Sequence, residues 1–196
     1  MTTPPVPAVL GIDPGRRWTA GVLRAGDTAL HGWTLGPVDA SGHPDPTGAD
    51  SVHDLAAWGR YMVRIIDAIE DTIARHKAGA YAAPGGPVVL AVEMVVPPGG
   101  RIALADWLIP RQIVAALVAY DPGAVLVAPG GHGKARPVVE HYPPALWPTK
   151  GATGGRPASW GPCESRRGER DHERAAWDVA GVALAALADD DVGGGA

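Results

Sequence analysis

The chain has 196 residues, 46% of them apolar, and a formal net charge of −4. Such a length and composition suit a single globular domain with a full hydrophobic core, and they exclude a disordered or fibrous chain. The lone cysteine, Cys163, excludes an intrachain disulfide framework and a cysteine-based zinc cluster.

The first six residues read as a frayed end. A first strand is predicted over 8–13, closing on "GIDPG", where one carboxylate, Asp13, ends an apolar run and Pro14 and Gly15 turn the chain. A second strand fits 18–24 and a third 28–35, with 25–27 as the turn between them. Short turns between three strands predict an antiparallel meander. A polar Gly/Pro loop follows over 37–50. Ser51 and Asp54 give a helix-start signal of the capping-box type. Beyond it Leu55, Trp58, Met62, Ile65, Ile66, Ile69 and Ile73 recur at helical spacing, and Gly79 marks the stop.

The continuous apolar run 87–96 predicts a buried strand carrying one acid, Glu93. A helix fits 103–119, with a kink expected at Pro110, and a short buried strand fits 124–129. Residues 148–170, rich in Gly, Pro, Ser and Arg, read as one long loop of the functional or disordered kind. A last helix, 172–188, has a small-residue face that can pack closely on a sheet. Residues 189–196 read as a flexible end. The order β-β-β-α-β-α-β-…-α predicts an α/β domain spanning 1–196. Its sheet is mixed and five-stranded, with an antiparallel meander extended by parallel strands and flanked by helices. No run reaches the roughly 20 apolar residues of a membrane span, and the N-terminus lacks a secretory pattern, so a cytoplasmic location without membrane contact is expected.

Three acids stand where apolar residues are the rule: Asp13 at a strand end, Glu93 inside a strand, and Asp178 between Trp177 and Val179 in the last helix. An ionised carboxylate taken out of water needs a partner or a metal. If the first and fourth strands are neighbours and the last helix crosses them, the three converge. Hard oxygen donors without a Cys or His cluster point to Mg²⁺ or Mn²⁺, one or two ions per subunit. A pair of such ions activates water and stabilises the leaving oxygen in phosphodiester hydrolysis.

Together, "GIDPG" after an apolar run, "AVE" in a later strand and "AAWDVAGVAL" in the last helix resemble the RuvC family of Holliday-junction resolvases, within the RNase H-like superfamily. "HERAAWDVAGVAL" resembles the RuvC-like proteins of actinobacterial phages in particular. The resemblance covers most of the chain in order and spacing. It implies an RNase H-like fold and a homodimer that cuts four-way or other branched DNA with divalent metal in recombination or repair, inside a bacterial or phage-infected cell. It assigns Asp13 as the bridging metal ligand, Glu93 as the second and Asp178 as the C-terminal acid. Lys134, in "GHGKARPVV", matches a lysine that approaches DNA, and Arg136 lies beside it.

The chain departs from the family at Ala175, where a fourth acid or a His is usual three residues before the last Asp. Asp171 lies seven residues back, two turns up the helix and roughly 10 Å away. It is a candidate fourth ligand or merely the helix cap, and His172 is expected to face another side. The aromatic that often follows the second acid is also missing.

The net acidity is unusual for a DNA enzyme. It is unevenly placed, however: residues 97–175 hold ten bases and seven acids, whereas 176–196 hold four acids and no base. Arg16 and Arg17 flank the proposed metal site and can hold a phosphate. Plainer readings remain open: a turn role for Asp13, an ion pair of Glu93 with Arg101 or of Asp178 with Arg174, and solvated loop charges for Lys134, Arg136, Arg16 and Arg17. Trp147 and Trp160, in the long-loop region, are candidates to stack on unpaired bases. Two other functions compete: a non-catalytic branched-DNA-binding or scaffold protein on the same fold, and an actin-like ATPase or sugar kinase, for which the chain is too short to supply two lobes.

Overall fold

The computed structural model of the chain describes residues 7–45, 54–81, 85–96, 103–130, 136–148, 155–165 and 170–193. Five strands form one mixed sheet: β1 (Ala8–Asp13), β2 (Thr19–Ala25), β3 (Thr28–Leu35), β4 (Val88–Glu93) and β5 (Val125–Val127). Their order across the sheet is β3-β2-β1-β4-β5. The first three are antiparallel, while β4 and β5 add on in parallel beside β1. This is the sheet expected from the sequence. The two parallel strands are shorter than the apolar runs that announce them, because pairing stops at Glu93 and Val127 although the runs continue.

The pleat divides β1 into two faces. Ala8, Leu10 and Ile12 share a core with α1 (Leu55–Lys77) and α2 (Leu104–Tyr120). Val9 faces the other way, toward Val179, Ala180 and Ala183 of α4 (Asp171–Gly193). In β4, Leu90 and Val92 likewise face α1 and α2, and Ala91 faces α4. Asp13 and Glu93 are each in phase with the α4 side. The parallel pairing sets Ile12 opposite Val92, so the next residue on each strand is one of the two acids.

Helix α1 is capped by Asp54, whose carboxylate accepts from the Ala57 N–H at 2.9 Å. Ser51, expected to open the cap, lies outside the described residues. The helix ends at Lys77, and Gly79 beyond it has a left-handed φ of 72° that suits glycine. The buried face is turned slightly from the expected one. Leu55 is exposed, while Tyr61 is fully buried because its hydroxyl serves Thr19 Oγ1 (2.8 Å) and the carbonyls of Gly15 and Leu35. Helix α2 carries Pro110 within it, on the buried face.

Helix α4 runs antiparallel to β1 and lies almost on its backbone. A methyl group on Gly11 would collide with the carbonyl oxygen of Ala176 and the amide nitrogen of Ala180. Glycine on the strand and alanine on the helix permit this approach.

The region expected to be one long loop is structured in part. Residues 155–165 run along the outer edge of β3, with Thr34 N–H donating to Pro162 O (2.8 Å) and Glu164 N–H to Thr34 O (3.0 Å). Glu164 is clamped by Arg64 at 2.6 Å, and buried Glu173 is clamped by Arg156 (3.1 Å) and Arg170 (2.6 Å). Trp160 is buried against Gly32, so stacking on a base is closed to it. Trp147 is half-buried and donates through its indole N–H to Tyr142 O at 2.7 Å. Among the described residues no helix is long and apolar enough to cross a membrane.

Candidate functional site

The two strand-end acids meet. Asp13 closes β1 and Glu93 closes β4, on neighbouring parallel strands and facing the same side. Their carboxyl groups lie close enough to share a hydrogen bond, and the Asp13 charge disfavours a second charge on Glu93. Burial first, then the Asp13 charge and that shared bond, push the Glu93 carboxyl up to about 8, with His172 pulling the other way. The third member is His172, in the first turn of α4. Its ring Nδ1 donates to Oδ2 of Asp13 at 2.7 Å. The Asp13 side chain is 14% exposed and the His172 side chain 37%, so the cluster opens to solvent on the helix side.

The other expected members go elsewhere. Asp178 lies six residues beyond His172, about 9 Å further along the helix. It is nearly buried, and both carboxylate oxygens are taken: Oδ1 by His141 Nε2 and Oδ2 by the Tyr142 hydroxyl, each at 2.8 Å. The expected convergence of Asp178 with Asp13 and Glu93 is therefore not what the structure holds. The register explains it. A helix rising 1.5 Å per residue keeps pace with a strand at about two helical residues per strand residue. With His172 over Asp13 and Ala176 over Gly11, Asp178 falls level with Leu10, three strand residues from Asp13, next to Trp177, which packs on Ala20 and Val22 of β2. Asp171 is exposed and ion-paired with Arg174. It is His172, the side chain expected to turn away, that reaches Asp13.

Among the basic candidates, Arg16 is tied to Asp106 of α2 at 3.1 Å, and Arg17 is exposed one residue further on. Arg136 stands next to His141, with Nη1 3.5 Å from the ring Nδ1. Lys134 and Arg101 lie outside the described residues. Sequence reasoning missed His141 and Tyr142. The only signal for them was an unpaired acid in an apolar helix face, which demanded partners without naming them.

The two carboxylates have the hard oxygen donors of a magnesium or manganese site, and the imidazole beside them is a nitrogen donor that suits a transition metal better than magnesium. The strands hold the acids rigidly, and two carboxyl groups held side by side mark a place where positive charge is favourable. Among the described residues no three His, Cys, Asp or Glu side chains stand arranged around a metal position; Asp13, Glu93 and His172 bond to one another instead. Comparison with models of known protein families finds no match for the chain, and comparison with curated proteins finds none either.

Proposed function

We propose that the protein is a divalent-metal-dependent endonuclease that hydrolyses phosphodiester bonds in four-way or otherwise branched DNA, as the resemblance to RuvC-like resolvases implies. The observation that carries this reading is the meeting of Asp13 and Glu93 on adjacent parallel strand ends, with His172 bonded to Asp13. Asp13 and Glu93 would hold Mg²⁺ or Mn²⁺, and His172, bonded to Asp13, would keep that carboxylate in place. A cation bound there supplies Lewis-acid stabilisation of the phosphoryl oxygens and a more acidic water. The chain's own contribution is positional: β1 and β4 fix the two carboxylates, and α4 fixes the imidazole. A homodimer, with one such site per subunit, suits a branch with two equivalent strands.

A second reading is a branched-DNA-binding protein without catalysis on the same scaffold. The observation favouring it is Asp178, whose carboxylate is committed to His141 and Tyr142. One experiment separates the two. End-labelled four-way junction, flap and linear duplex are incubated with the protein in Mg²⁺, Mn²⁺ or EDTA. Metal-dependent nicks in the branched substrates, lost in Asp13→Asn, support the endonuclease. Junction binding without cutting supports the binder.

A further inference from the structure

Beside α4, away from the acid pair, lies a cavity of about 390 Å³ lined by Arg24, Arg136, His141 and Asp178, with Gly130 and Gly181 forming part of its wall. Three of these side chains are nitrogen donors. The Arg24 guanidinium is fixed: it lies 3.8 Å above the Trp177 ring, and it donates to Gly26 O at 2.7 Å and to Trp177 O at 3.3 Å. His141 is fixed by Asp178, whose carboxylate can only accept, so the bonded Nε2 carries the hydrogen. The Tyr142 hydroxyl covers the other oxygen of Asp178. The one acid in the wall is thus turned into the protein, and its side chain is only 5% exposed. What the cavity meets is two guanidinium groups, that of Arg24 also paired with exposed Asp27 at 3.3 Å, an imidazole edge, and an apolar wall from Val182 and Ala185. Arginine is the usual receptor of a phosphate group, and here one anchored and one exposed arginine border the same recess.

We propose that this cavity is a phosphate-binding site, with Arg24 and Arg136 as the charged receptors, while His141, its Nε2–H given to Asp178, stands with Nδ1 3.5 Å from Arg136 Nη1 and senses that arginine. Two sources share that chemistry: the backbone phosphate of a nucleic-acid strand and the phosphate of a free nucleotide. The nuclease reading bears only on which source applies, since the cavity's α4 residues, Asp178 to Ala185, would seat a strand about 9 to 20 Å along the helix from the acid pair.

The test follows the ring resonances of ¹⁵N-histidine-labelled full chain in EDTA, with His141 assigned through His141→Gln. Inorganic phosphate, AMP and a short oligothymidylate are titrated in turn. The proposal predicts that the His141 signal moves with added phosphate groups and that Arg136→Gln, at an exposed position, weakens the response at least about fivefold. A response to the oligonucleotide at the lowest concentration assigns the strand backbone, and Arg136→Gln then lowers the salt dependence of binding by about one ion. A response to phosphate and AMP alone assigns a free phosphate ligand. No shift with any of the three, or an equal shift in Arg136→Gln, overturns the site. Asp13→Asn keeps the response, so loss of cutting and loss of this site are separable.

Discussion

His172 donates from Nδ1 to the Asp13 carboxylate at 2.7 Å, joining the first turn of the last helix to the end of the first strand. Asp13 also faces Glu93 across the parallel pair, so a strand end, its neighbour and a helix start close on one point. Asp178 is outside that closure. Activity should divide along the same line. On branched DNA, Asp13→Asn should abolish cutting and His172→Ala should lower turnover roughly 10–100-fold, the usual cost of losing a group that holds a metal ligand in place. Asp178→Asn should cost less than either. Single-turnover cleavage with saturating Mn²⁺ reads all three, and an Asp178→Asn loss as deep as that of Asp13→Asn would return Asp178 to the site.

The packing of α4 on β1 predicts an asymmetry between two glycines. Gly11→Ala sets a methyl group against the backbone of Ala176 and Ala180, which a strand and a helix cannot yield locally. It should destabilise the fold by about 1–3 kcal/mol or more and displace His172 from Asp13. Gly59→Ala, inside α1 with open space around it, should stabilise by about 0.5–1 kcal/mol. Urea unfolding of the two variants checks both signs.

The Tyr142 hydroxyl donates to a buried carboxylate at 2.8 Å, and Asp178 holds the phenol's own ionisation well above its ordinary value, second to burial. Tyr142→Phe removes that bond without leaving a gap. A hydrogen bond to a charged group contributes about 1.5–3 kcal/mol, and chemical denaturation should show a loss of that size.

His31 gives the acid limb of stability. It is 3% exposed, stacked on Tyr81 with ring centroids 5.1 Å apart, and its Nδ1 has no hydrogen-bond partner among the described residues. Burial first, then the Arg75 charge and the Arg156 charge, against Asp71, lower its pKa from 6.5 to about 4. The folded-state value is depressed, so above 6.5 both states are neutral and the group exerts no pull. As the pH falls from 6.5 toward 4 the unfolded chain takes up a proton that the folded chain refuses, and stability drops. The drop reaches roughly 2 kcal/mol by about pH 4.5, at about 1.4 kcal/mol per unit of separation. His31→Leu should flatten the change in denaturation midpoint between about pH 7 and pH 4.5 by that amount.

The sheet was legible because its strands alternate or run apolar and its turns carry Gly and Pro. The acid pair was legible for the same reason: Asp13 ends one apolar run and Glu93 interrupts another, on strands that pair in parallel. Position on α4 was not legible. A helix rich in alanine offers several faces that pack equally well, and only the meeting of Gly11 with Ala176 and Ala180 selects one. That choice brings His172 to Asp13 and carries Asp178 to His141 and Tyr142. The strap 155–165 was hidden because its attachment to β3 uses backbone bonds and the Arg64–Glu164 pair, which leave no periodic pattern.

The measurement that bears most directly on the account is anomalous diffraction from crystals of the protein grown with Mn²⁺. The account predicts a manganese peak between the carboxylates of Asp13 and Glu93, with His172 beside it, and loss of that peak in Asp13→Asn. A peak at Asp178 instead, or crystals saturated with Mn²⁺ that show none at the acid pair, would contradict it.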